Sequence, residues 1–156
     1  MELTILIGTM TGTAQLVAQE VELTLDGEAL RVISKPMDGM DGNAFGTGGL
    51  FLICTSTYGQ GDVPDNARPV FEALQSARPD LSAVRYGVIA LGDKTYADTF
   101  CFGGKKFDAL LQELGAKRIG DIMLHDASSG TLPEELAVPW TSAWIEQVKA
   151  AERAGA

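Results

Sequence analysis

Three short stretches concentrate residues able to hold a ligand. The first is Thr9-Met10-Thr11-Gly12-Thr13-Ala14, between an apolar run and a segment of helical spacing. Main-chain N–H groups at a helix start have no partner within the helix and carry partial positive charge, so such a turn suits an anion, a phosphate above all. Threonine hydroxyls add donors, and Gly12 lets the backbone come close to an oxygen. The first basic residue of the chain is Arg31, so nothing before it can pair with that anion as a Walker lysine would. The loop also lacks the G-x-G-x-x-G pattern, which disfavours an NAD or FAD pyrophosphate. The same residues equally read as an ordinary Thr/Gly turn capping a helix.

The second stretch, Ser56-Thr57-Tyr58-Gly59-Gln60-Gly61-Asp62-Val63-Pro64-Asp65-Asn66, sets Tyr58 beside two glycines, where its ring cannot easily reach a core. An aromatic face offered to a planar ligand is worth roughly 1 kcal/mol beyond the area it buries. Gly59 tolerates either sign of φ, so its peptide can turn to meet a ligand whose hydrogen bonding changes. A plain acidic turn would explain the glycines and leave the tyrosine unexplained. The third stretch runs Leu91-Gly92-Asp93-Lys94-Thr95-Tyr96-Ala97-Asp98-Thr99-Phe100-Cys101-Phe102-Gly103-Gly104. Loops concentrate aromatics when they cover something, whether a ligand or the core beneath them. Asp62, Asp65, Asp93 and Asp98 make these two loops acidic, with Lys94 as their only internal counter-charge.

The order of the chain says what must position these loops. Leu3 to Gly8, Leu50 to Cys54 and Tyr86 to Leu91 are apolar runs of strand length, covered on both faces as in a parallel sheet. Leu30 to Ile33 and Ile119 to Leu124 read as two further strands. Helical spacing recurs at Ala14, Val17, Ala18 and Val21, at Val70, Phe71 and Leu74 with Asn66 as cap, and at Phe107, Leu110, Leu111 and Leu114. A last helix carries Trp140, Trp144 and Val148. The glycine-punctuated residues 35 to 49 read as an exposed connection. Alternating strand and helix demand crossovers, hence an α/β fold with a five-stranded parallel sheet between helices. Ligands then bind where the carboxyl ends of the strands meet, in the loops after strands one, three and four.

Composition narrows the partners. The chain has 156 residues, one domain's length (1–156), and a net charge of -9. Such a surface repels nucleic-acid phosphates and anionic lipid, and suits a basic protein or a small shielded ligand. Cys54, Cys101 and His125 make neither a disulfide framework nor a zinc cluster. No apolar run approaches the roughly 20 residues of a membrane span. The start, Met1-Glu2-Leu3-Thr4, has no basic leader, and the expectation is a protein of the cytoplasm. Trp140 and Trp144 read as core packing, His125 as hydrogen-bonded or at the surface, Cys54 as an inert buried thiol, and Cys101 as a packing or backbone contact.

Together the three loops, Thr9 to Ala14, Ser56 to Asn66 and Leu91 to Asp108, resemble the flavodoxin family in order and spacing. Tyr58-Gly59-Gln60-Gly61-Asp62 and Leu91-Gly92-Asp93-Lys94-Thr95-Tyr96 are similar to the FMN domains of diflavin reductases such as sulfite reductase. Pro79 to Gly87 and Thr99-Phe100-Cys101 look still more like the small stand-alone MioC-type flavodoxins. The resemblance implies a flavodoxin-like sheet of order 2-1-3-4-5 and a non-covalent FMN. Its phosphate would sit on Thr9, Met10, Thr11, Gly12, Thr13 and Ala14. Its ring would lie between Ser56, Thr57, Tyr58 and Gly59 on one side and Leu91, Gly92, Asp93, Lys94, Thr95, Tyr96, Phe100 and Cys101 on the other. Tyr58 would be the inner contact, and Tyr96 the outer stacking ring, although one extra residue near Ala97 leaves Phe100 as a rival.

On this reading the chain is an electron carrier and not an enzyme, shuttling low-potential single electrons. Its donor would be an NADPH-dependent flavodoxin reductase, its acceptor another basic-surfaced redox protein, and the chain itself a monomer. The acidic loops would disfavour the anionic, fully reduced cofactor. The same acids would steer a basic partner in a salt-dependent way. An FMN-dependent NAD(P)H-quinone reductase, or an accessory flavin binder without turnover, are the alternatives. A phospho-receiver is excluded because the strand ends hold Gly8-Thr9 and Thr55-Ser56 in place of carboxylates. A cysteine phosphatase fails because Cys101 is followed by Phe107 where an arginine is needed.

Overall fold

The computed structural model describes every residue of the chain except Thr11, Gly59, Gln60 and Ala156. Its elements are β1 (Glu2–Gly8), α1 (Thr13–Leu25), β2 (Arg31–Pro36), β3 (Gly49–Thr55), α2 (Arg68–Ala77), β4 (Val84–Gly92), α3 (Phe102–Glu113), β5 (Lys117–Arg118), β6 (Met123–Asp126) and α4 (Pro133–Gly155). All strand pairs are parallel, in the order β2-β1-β3-β4, with β5 and β6 both paired to β4 at the fifth position. The expected fifth strand, Ile119 to Leu124, is therefore two short pieces. Ile119 N still donates to Tyr86 O of β4 at 2.8 Å, and beyond it side chains take over: Trp144 Nε1 donates to Ile119 O at 2.8 Å and Arg118 Nε to Gly120 O at 3.0 Å.

Alternation along the strands divides the core into two layers. Leu3, Ile5 and Ile7 of β1 face α1 and α4, packing with Val17, Val21, Trp144 and Val148. Leu6 of β1 and Phe51 and Ile53 of β3 face α2 and α3, packing with Val70, Leu74, Phe107 and Leu111. Period-two side chains on a sheet buried on both faces produce this division directly.

The glycine-rich connection departs from expectation. Between β2 and β3 there is no helix, so the alternation of strand and helix breaks once. The segment is also not simply exposed: Met37 and Phe45 are buried in the α2/α3 layer. The Phe45 ring meets Phe51 edge-on at 4.8 Å. Isolated apolar residues between glycines plug the face that a helix would otherwise cover, and they do so without any periodicity to betray it.

The edge strand β2 is closed by α1. Its odd-numbered N–H groups face β1, as Arg31 N to Met1 O and Met37 N to Ile7 O show. Its outward N–H groups at Val32 and Ser34 donate to Asp26 Oδ1 at 2.8 Å and Glu22 Oε1 at 3.0 Å. The next outward position is Pro36, which has no N–H to offer. A free edge of this kind is a template for pairing with another chain. The Glu22→Ala/Asp26→Ala double variant is accordingly expected to form larger species than its parent in light scattering. Glu22→Gln/Asp26→Asn, which keeps an acceptor oxygen at each place, should behave as the parent does.

Candidate functional site

The carboxyl ends of β1, β3 and β4 converge on a cleft of about 490 Å³. Thr13 lines it from the first loop, Ser56 and Thr57 from the second, and Leu91, Gly92, Asp93 and Tyr96 from the third. The volume falls within the range usual for small-molecule sites. None of these lining residues is a lysine or arginine, so an anion in the cleft meets neutral donors from its walls.

The first loop is shaped for such an anion. Gly12 adopts φ +96°, a left-handed conformation that suits glycine, and turns the chain into α1. Among the described residues no side chain caps that helix at Gly12, so the opening N–H groups have no side-chain partner there, which argues against the plain-cap reading. Thr9 Oγ1 accepts from Gly12 N at 2.9 Å, fixing the turn from within. Met10 is exposed, and Ala14 turns its side chain into the core. Thr11 lies outside the described residues.

The second loop is tied at both ends. Ser56 N donates to Gly8 O at 2.9 Å, and Tyr58 and Asp62 exchange two main-chain hydrogen bonds of 2.8 Å. Tyr58 is exposed at the base of that turn, while Gly59 lies outside the described residues. The Thr57 hydroxyl is committed inside the protein: it donates to Leu91 O and accepts from Gly103 N, both at 3.0 Å. Asn66 is not the helix cap that its position suggests. α2 starts at Arg68 after Ala67, and the Asn66 side chain reaches back to β1 instead.

In the third loop a 3-10 turn, Lys94–Thr99, presents Tyr96 to the cleft with 66% of its surface exposed. The Asp93 carboxylate caps this turn by accepting from Thr95 N at 2.8 Å. Phe100 is only part-exposed, packs against the α2/α3 layer, and has the ammonium groups of Lys94 and Lys105 at 5.5 and 5.7 Å from its ring centre. Tyr96 and not Phe100 therefore lines the cleft. Cys101 also points away: its Sγ contacts Ala90 O at 3.3 Å and His125 O at 3.6 Å, and burial pushes its thiol up to about 11. Cys54, fully buried, is pushed up to about 12. His125 is buried as well, its Nε2 paired with Thr131 O at 2.6 Å.

The loops are less acidic than their own residues suggest. Asp62 is paired with Lys106 at 3.1 Å and Asp65 with Arg68 at 4.0 Å, both cations coming from helices outside the loops. Of the four loop aspartates, Asp93 is the one among the residues that line the cleft. Thr99, within the third loop, also lines the cleft, and two contributors lie beyond that loop: Ala127 lines the cleft, and Asp126 Oδ1 anchors the loop by accepting from Lys94 N at 2.9 Å. That hydrogen bond holds the Asp126 carboxyl below the usual carboxylate range. Asp126 also accepts from Ser128 N at 3.0 Å, an Asx turn that Asp-Ala-Ser foreshadows.

Among the described residues, no group of three or more metal-ligating side chains occurs, and no helix is long and apolar enough to cross a membrane. The family model described as Flavodoxin matches residues 5–140. Flavodoxin YqcA of Escherichia coli (strain K12) is 43% identical over 145 residues, 92% of this chain and 95% of that protein. Protein MioC of the same strain is 35% identical over 148 residues, 95% of this chain and 99% of that protein. A solved mutant of a flavodoxin from Pseudomonas aeruginosa superposes with a TM-score of 0.84 at 34% identity, over 96% of this chain and 99% of that one. Loops, sheet order and these matches across most of the length agree: the chain belongs to the flavodoxin family.

Proposed function

We propose that residues 1–156 act as one FMN-binding domain, an electron carrier that passes single electrons at low potential between a reductase and an acceptor protein. The observation that carries this is the cleft itself, where, among the described residues, the helix start has no side-chain cap and the walls hold no lysine or arginine, beside the exposed Tyr96 ring. FMN, when bound, supplies the redox chemistry. Thr9 to Ala14 hold its phosphate with hydroxyl and main-chain donors. Ser56, Tyr58 and Gly59 contact its ring from the second loop, and Leu91 to Tyr96 from the third. Tyr96 stacks on it, because Phe100 is engaged with two lysines and the core. Thr57 and Cys101 act from behind, Thr57 as a tie between loops and Cys101 through its main chain.

The Asp93 carboxylate is the charge that disfavours adding electrons to a ligand in the cleft, as any like-charge approach does. A net charge of -9 suits basic-surfaced redox partners, an NADPH-dependent flavodoxin reductase being the donor. The setting is cytoplasmic and the carrier a monomer. The alternatives, a quinone reductase with its own NAD(P)H site or an accessory flavin binder, differ in turnover.

One preparation separates these readings. The purified protein should be yellow, and heat should release a chromophore that chromatographs as FMN. In stopped flow, NADPH alone should leave it oxidised, whereas NADPH with a flavodoxin reductase should reduce it, more slowly at high salt. FAD or no flavin would overturn the proposal. Direct turnover with NADPH and a quinone would favour the reductase alternative.

A further inference from the structure

We propose that Asn66 is a positioning residue for the phosphate end of the cleft, holding the first loop in its anion-binding form from the second loop. The inference rests on the FMN reading above. β1 leaves its ladder after Gly8, the last residue that pairs with β3. From there the chain must bend into the cradle, and Thr9 N loses the strand partner it would otherwise have. The Asn66 side chain takes that partner's place: its Oδ1 accepts from Thr9 N at 2.8 Å and its Nδ2 donates to Ile7 O at 3.1 Å. One donor and one acceptor on a planar amide reproduce what a neighbouring peptide unit would offer. Nδ2 also reaches Asp38 Oδ2 at 3.4 Å, tying in the residue that follows Met37 at the end of β2.

The grip is doubled one residue earlier. Asp65 N donates to Met10 Sδ at 3.2 Å, so Asp65 and Asn66 hold Met10 and Thr9, consecutive residues of the first loop. Two donors are thereby removed from the ligand's reach. Thr9 N is spent on Asn66, and Gly12 N is spent on Thr9 Oγ1. The phosphate is left to the threonine hydroxyls of the loop and to its other N–H groups, those that open α1 among them. Their convergence depends on a loop whose shape is set from outside. Asn66 itself does not line the cleft, so its loss should be felt at the phosphate and not at the ring.

The test compares two ligands that differ only in the phosphate. Apoprotein is titrated with FMN and with riboflavin by flavin fluorescence, for the parent, Asn66→Ala and Asn66→Asp, with thermal melts alongside. Asn66→Ala leaves Thr9 N unsatisfied and should weaken FMN about tenfold or more while changing riboflavin less than threefold. Asn66→Asp keeps the acceptor for Thr9 N, loses the donor to Ile7 O, faces Asp38 and brings a negative charge near the anion. It should lose FMN more severely, with riboflavin again spared, and it decides the matter if the alanine variant does not fold. Equal losses for both ligands, or none for either, would overturn the positioning role. A parent that binds FMN no better than riboflavin would instead remove the underlying reading, and this inference with it.

Discussion

A Thr13→Glu variant is expected to fold as well as its parent and to bind FMN roughly a hundredfold more weakly, a loss of about 3 kcal/mol. Thr13 is the first residue of α1, is exposed and lines the cleft. An acidic side chain in the first turn of a helix is favourable by about 0.3–1 kcal/mol, so the melting temperature should hold or rise slightly. The same charge faces an incoming phosphate dianion in a cleft whose described lining residues include no lysine or arginine. At an effective dielectric near 20, unit charges ~4 Å apart repel by about 4 kcal/mol, which exposure reduces. Riboflavin should bind almost unchanged, and Thr13→Ser should bind FMN as the parent does. Isothermal titration on the apoproteins measures all of these, and undiminished FMN affinity in Thr13→Glu would refute the cradle.

Gly103→Ala should have the largest effect on stability, about 3 kcal/mol, or a melting temperature lower by about 6–12 °C. Gly103 stands at the start of α3, directly against the second loop. A Cβ there would collide with the main-chain oxygen of Ser56 and crowd Thr57 Cα at 3.2 Å. Both neighbours are backbone, so no rotamer change relieves the contact. The helix or the loop must shift, and either movement breaks the hydrogen bond from Gly103 N to Thr57 Oγ1. Ser56 and Thr57 line the cleft, so ligand affinity should fall with stability. Gly27→Ala, where nothing lies within 4 Å of the added carbon, serves as the control and should be near neutral in a calorimetric scan.

The parts of this molecule governed by short-range pattern were legible in the sequence. Leu50 to Cys54 and Tyr86 to Leu91 announce doubly covered strands because every residue is apolar, and the structure extends them only to Gly49–Thr55 and Val84–Gly92. The three loops could be located because ligand sites in such sheets follow strand ends. What stayed hidden depends on partners distant in sequence. Phe45 sits among glycines with no periodic companion, and only the three-dimensional neighbourhood of Phe51 reveals that it is core. Asn66 has the position of a cap, yet its hydrogen bonds to Thr9 and Ile7 reach more than fifty positions back along the chain. The charges of Asp62 and Asp65 looked uncompensated because Lys106 and Arg68 belong to helices. Within the cleft, the sequence favours Tyr96 with Phe100 as its rival, and packing distinguishes them.

Both indoles of the chain sit on one helix, α4, with rings 10° from parallel and 6.0 Å apart, and Trp144 lies within the layer shared with α1. Intrinsic tryptophan emission is thus an observer stationed on one side of the sheet. It watches that storey loosen and is blind to the storey where α3 meets the second loop. A denaturation curve recorded by that light alone describes half a molecule, and its agreement with a backbone signal would show that the sheet couples both halves into one cooperative unit.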